Sequence, residues 1–163
     1  MLACVDVDYR PAAAVAACLL FHDWPDPAET QAVIEHLPPA APYQPGQFYL
    51  RELPCLLRVL RSVPGPLDAV VIDGYVWLGE HGQPGLGARL HKELGVPVLG
   101  VAKTLFHGSA EAVPLYRGQS KKPLHVSAAA MDRATAALAI QRMHGPHRIP
   151  TLLKRVDRLC REG

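Results

Sequence analysis

Residues 67–73, LDAVVID, constrain this 163-residue chain more than any other stretch. The run is continuously apolar and β-branched at its centre, the pattern of a strand covered on both faces. Such a strand belongs in the middle of a sheet flanked by helices. Residues 85–94 read as one of those helices, stopped by Gly95. Residues 96–101, VPVLGV, then read as a second short buried strand. Strand, helix, strand makes a right-handed crossover, so the two strands are expected to be parallel.

Two residues at the ends of these strands carry chemistry. Asp73 closes the first and is followed by Gly74. In open α/β sheets, sites lie outside the carboxyl ends of strands. An acid there followed by glycine lets a ligand approach the backbone closely, although Asp-Gly is equally a common turn. Lys103 follows the second strand and should land beside Asp73. There it can pair with an acid or stabilise charge developing on a phosphate; an ordinary surface lysine is the alternative.

The front of the chain supplies more strands. Residues 2–8 read as a buried strand interrupted by Asp6 and Asp8, which a period of two turns the same way. A carboxylate in a core strand is costly unless paired or metal-bound, so Asp6 is the candidate ligand and Asp8 a turn residue. Residues 12–21 form a second strand, antiparallel to the first through a reversal at Pro11. Residues 22–29 are a polar turn, and residues 30–36 a third strand. Residues 41–52 form a loop stiffened by Pro42, Pro45 and Gly46, able to present Tyr43 and Phe48 as a wedge or to pack them on the core. A helix follows to about Ser62, which puts Glu52 at the junction of loop and helix.

Behind the crossover, residues 75–84 read as a loop. Residues 112–117 and 124–127 read as short strands joined by the basic turn 118–122. Residues 131–143 form an Ala-rich helix with Asp132 in its first turn, a place the helix dipole favours for an acid whatever its function. Residues 151–161 form the last helix, with Leu152, Leu153, Val156 and Leu159 inward and basic residues outward. No internal repeat or second domain is visible, and we expect a single domain over residues 1–163.

Composition narrows the function classes. With 49% hydrophobic and 20% charged residues the chain is globular rather than disordered. Cys4, Cys18, Cys55 and Cys160 make no CxxC pair, which argues against a zinc or redox motif, and Cys4 and Cys18 read as small core residues. No apolar run is long enough to span a bilayer, and the acids before residue 12 do not suit a signal peptide; we expect a cytoplasmic protein. Residues 1–116 hold seven Lys/Arg against twelve Asp/Glu, and residues 117–163 hold ten against three. Acids in front and bases behind suit a metal site beside a phosphate-binding face; solvated basic helices are the plain alternative.

Three antiparallel strands followed by helix, strand, helix and strand is the order of an α/β, RNase H-like fold, a mixed central sheet flanked by helices. Asp6, Glu52 and Asp73 then fall on adjacent elements. Clustered carboxylates bind Mg²⁺, which can activate water and stabilise an oxygen leaving phosphorus. The residues thus point to metal-dependent phosphodiester hydrolysis.

The same residues resemble a known family. Asp6 in VDVDY, Tyr43 to Glu52 in PYQPGQFYLRE, Asp73-Gly74 in VVIDG and Lys103 in GVAK are similar to endonuclease V, the deoxyinosine 3′-endonucleases. The likeness runs from about Leu2 to Glu162. It implies cleavage of the second phosphodiester bond 3′ to a deaminated adenine in DNA, with Mg²⁺ or Mn²⁺; we expect a monomer. It implies Asp6, Glu52 and Asp73 as metal ligands, with Asp132 as a further acid, and Lys103 as transition-state stabiliser. Tyr43 would be the wedge, and Pro45, Gly46, Phe48 and Gly74 would serve the pocket for the extruded base, which a weakly paired hypoxanthine enters at small cost. Arg117, Lys121, Lys122 and the final helix would hold the strand. Two family histidine positions fall on Gly79 and Ala130, with His81 a displaced stand-in for the first, and the family aromatic before Arg-Glu is Leu50. A module that binds deaminated nucleic acid without cutting it fits those departures; an inosine-directed ribonuclease is a further alternative.

Overall fold

The computed structural model describes residues 1–39, 42, 49–106, 108 and 111–163. Among them, seven strands form one sheet. They are β1 (Leu2–Arg10), β2 (Ala13–Phe21), β3 (Gln31–Leu37), β4 (Ala69–Asp73), β7 (Val98–Ala102), β8 (Val113–Leu115) and β9 (Leu124–Ala129), in the order β3-β2-β1-β4-β7-β9-β8. The first three are antiparallel neighbours, and β1, β4 and β7 are parallel. The strand β9 returns antiparallel to β7 and carries β8 at the edge. The stretch expected to be a loop contains a small hairpin, β5 (Trp77–Leu78) with β6 (Gln83–Pro84).

Alternation along the strands sorts the core into two layers. Leu2, Cys4, Ala69, Val71, Leu99 and Val101 pack beneath α3 (Arg133–Arg142) and α4 (Thr151–Glu162). Their neighbours Ala3, Val5, Val70 and Ile72 pack on the opposite face, beneath α1 (Tyr49–Arg61) and α2 (Leu86–Leu94). The central strand β4 is buried on both sides until Asp73, as its composition demands. All four cysteines are buried and free.

The helix α1 begins a turn earlier than its apolar spacing suggests, so Glu52 lies within its first turn and Pro54 inside it. An acid in that turn is favoured by the helix dipole. Four side chains of α1, Cys55, Leu56, Val59 and Leu60, are buried against the sheet. They fix the rotation of the helix and hence the direction of Glu52.

Candidate active site

The pleat decides which side chains meet. Leu2 and Cys4, Ala69 and Val71, and Leu99 and Val101 all enter the layer under α3 and α4. Two more steps along each strand put Asp6, Asp73 and Lys103 on that same side. Val5 pairs with Ile72, so Asp6 and Asp73 come side by side just past the last β1–β4 pair, on strands about 4.8 Å apart. Lys103 Nζ donates to Asp73 Oδ2 at 2.7 Å. A cleft of about 30 Å³ runs between Asp6, Asp73 and Lys103 on the sheet and Ile149, Leu153 and Val156 opposite.

Glu52 approaches from the other face, on α1. Burial pushes its carboxyl up to about 8; the charges of Asp6 and Asp73 push the same way, against the Tyr9 hydroxyl and Arg51. Asp6 is pushed up to about 7, first by burial and then by Asp73 and Asp157, although the Val7 N–H donates to its Oδ1 at 2.8 Å. Burial works against the Lys103 ammonium too, but the hydrogen bond to Asp73 and the charges of Asp73, Asp157 and Asp6 outweigh it and raise its pKa. Asp6 and Glu52 thus both feel the charge of Asp73. Among the described residues no three His, Cys, Asp or Glu side chains stand close enough to be a ready-made metal cage.

Supporting contacts hold the corner. The Tyr9 ring carries the Arg51 guanidinium 3.7 Å from its centre. The Tyr9 hydroxyl faces Glu52 and is buried without a hydrogen bond of full geometry. Asp8 lies in β1 rather than in a turn; it pairs with Arg10, whose guanidinium donates to the Cys160 and Arg161 carbonyls and so fastens the end of α4 to β1. Gly74, at φ +129°, turns the chain back over β7. Only glycine fits beneath it at residue 100, where a Cβ would lie 2.5 Å from the Gly74 carbonyl. Ser127, fully buried, accepts the Val76 N–H at 3.0 Å and pins that turn. Past Lys103, exposed Phe106 lies against Tyr75; the Tyr75 hydroxyl donates to the Thr104 carbonyl and accepts the Phe106 N–H.

Several expectations are revised. Asp132 is the N-cap of α3, its carboxylate accepting the Thr135 N–H at 2.9 Å. The antiparallel β9 carries it past Ala129, which pairs with Val98 at the start of β7, the end of the sheet away from Asp73 and Lys103. Asp157 on α4 is the acid that acts on Asp6 and Lys103 instead. The sequence signal for it was available: Asp157 stands one helical turn beyond Leu153, on a stripe that faces the cleft. Arg117 is buried rather than free, donating to the carbonyls of Met143, Gly145, His147 and Arg148. Arg148 in turn donates to the Lys103 and Pro123 carbonyls. His81 is exposed in the turn between β5 and β6. Tyr43, Pro45, Gly46 and Phe48 lie outside the described residues.

Sheet order and helix layers are those of the RNase H-like fold, with acids at the carboxyl ends of its central strands. The endonuclease V family model matches residues 1–149, and the chain belongs to that family. It is 33% identical over 142 residues to the endonuclease V of Streptomyces avermitilis, a match covering 75% of this chain and 62% of that protein. This chain thus aligns with about three fifths of that relative's length. The crystal structure of the endonuclease V from Streptomyces avermitilis superposes with a TM-score of 0.74 at 29% identity, covering 99% of this chain and 79% of that one. Ciona intestinalis endonuclease V, crystallised with a 23mer DNA containing an inosine followed by a ribo-adenosine, shares the fold: TM-score 0.80, 18% identity, 99% and 83% covered.

Proposed function

We propose that this protein is a divalent-metal-dependent endonuclease that cuts DNA at the second phosphodiester bond 3′ to deoxyinosine, in the repair of deaminated adenine. The observation that carries the reading is the acid corner itself. Asp6 and Glu52 are half-buried, burial and the charge of Asp73 raise the pKa of both, and Asp6 stands beside Asp73, which pairs with Lys103. A fold keeps such repulsion only where something offsets it. The donor set fits a hard cation: carboxylate oxygens on three separate elements, with room for water between them. Asp6, Glu52 and Asp73 would hold Mg²⁺ or Mn²⁺, with Asp157 as the neighbouring acid. The ion would supply a polarised water and neutralise phosphate charge.

The chain's own residues do the rest. Asp6 and Glu52 would hold the ion as carboxylates, their protons passing to solvent. Lys103, exposed beside Asp73, offers its ammonium to the non-bridging oxygens of the scissile phosphate as charge grows there. The open space beside Gly74, where a side chain would meet nothing within 4 Å, leaves room for an extruded base, and hydrogen bonds from nearby backbone groups can read the ring oxygen and N–H that distinguish hypoxanthine. Tyr43, with Pro45, Gly46 and Phe48, is assigned to strand separation and the pocket.

The test is an end-labelled duplex with one deoxyinosine, incubated with Mg²⁺, Mn²⁺ or EDTA, beside an RNA of the same sequence carrying inosine. A single metal-dependent nick at the second 3′ bond of the DNA is expected. Tight, inosine-selective binding without a nick would support the second reading, a recognition module. That reading draws on Gly79 and Ala130 at the two family histidine positions; both have left-handed backbone, φ +71° and +56°. Cleavage of the RNA alone would reassign the substrate to inosine-containing RNA.

A further inference from the structure

The basic half of the chain is not uniformly available to a phosphate backbone. On α4, Arg155 pairs with Glu29, Arg158 with Glu162 and Arg161 with Asp157. Arg117 spends its donors on four backbone carbonyls, and Arg148 spends its own on two. Lys121, Lys122 and Lys154 differ: each is exposed, with no acid in ion-pair range among the described residues.

Lys154 lines one of two neighbouring grooves, and Lys121 and Lys122 directly follow the turn that lines the other. The first, about 290 Å³, opens beside Lys103 and is walled by Lys154, Leu153 and Asp157. The second, about 540 Å³, lies between Pro146 and the turn at Gln119-Ser120, just before Lys121 and Lys122. His147 and Arg148 line both, so the two adjoin across their loop. The wall is pre-built. Arg117 ties down the loop that carries His147 and Arg148, and Arg148 joins that loop to the peptide of Lys103. A rigid cationic channel that starts at the acid corner costs a bound strand little reorganisation.

We infer that the sugar–phosphate backbone of the cut DNA strand runs from the acid corner along these two grooves. Lys154 takes one phosphate, and Lys121 and Lys122 take those beyond it. The arginine face of α4 lies off the path. The inference rests on the nuclease reading for its substrate, but its contacts need no metal.

Fluorescence anisotropy of a labelled deoxyinosine oligonucleotide in EDTA, over a range of salt, tests it; nicking by the parent protein in Mg²⁺ is scored separately. The parent slope of log affinity against log salt should fall by about 1 in Lys154→Ala and by about 2 in the Lys121→Ala/Lys122→Ala double variant. The Arg155→Ala/Arg158→Ala variant should keep the parent slope. Unchanged slopes in the lysine variants, a reduced slope in the arginine variant, or no binding by the parent would each overturn the path. If the lysine slopes fall while the parent never nicks, the path stands and the nuclease reading fails.

Discussion

The two ends of the sheet handle an aspartate in opposite ways. At one end Asp132 is fully served by its surroundings: it caps α3, accepts from Thr135, and its carboxyl lies below the usual range because of those bonds. At the other end Asp6 has one backbone donor and stands near Asp73, Asp157 and Glu52, and burial raises its carboxyl to about 7. The first arrangement is complete as a piece of structure. The second costs stability as it stands, and a strand residue with that deficit marks where a positive ligand belongs.

The comparison breaks most plainly through activity. Asp73→Asn should reduce nicking by ~10³-fold, the scale of losing a main charge-stabilising group, with the fold intact by circular dichroism. Asp132→Ala should leave nicking unchanged. If the two variants lost activity equally, the distinction between the ends would be void.

A second test uses pH. Glu52 and Asp6 have folded pKa values raised to about 8 and about 7, above their unfolded values. The folded, metal-free protein therefore keeps protons that the unfolded chain releases between pH 4 and 5. Stability from these groups is full below that range and is lost as pH rises through 7 and 8, by on the order of a few kcal/mol. Urea melts in EDTA at pH 5, 6.5 and 8 should show the decline, and Glu52→Gln should flatten it. A rise in stability over the same window would contradict the assignment. The smallest effect belongs to the satisfied end. Asp132→Ala should lower the melting temperature by a few degrees through loss of a cap, with no change in this pH profile.

Much of the fold was legible because it depends on period and composition. The continuous apolar run before Asp73 marked a central strand, and the crossover after it made β4 and β7 parallel neighbours. That alone brought Lys103 to Asp73. What stayed hidden depends on three-dimensional direction or on very short elements. A two-residue hairpin, β5 with β6, has no period to read. Asp132 and Asp157 each open or follow a helical turn in a basic stretch. That Asp132 lies away from Asp6 is decided by β9 running antiparallel to β7, a fact of pairing rather than of local sequence. Arg117, at the end of an expected strand, reads in sequence as a cation that holds the nucleic-acid strand. Only the fold shows it buried against four carbonyls, holding the loop that walls the grooves.

The central claim is that the carboxylates at the ends of β1 and β4, with Glu52 from α1, hold a divalent cation. Crystals soaked in Mn²⁺ and measured at the manganese absorption edge test it directly. An anomalous peak is expected between Asp6 and Asp73, with a Glu52 oxygen turned toward it, and no such peak in Asp6→Asn crystals. A manganese peak at Asp132, or none at the Asp6–Asp73 corner at saturating metal, would contradict it.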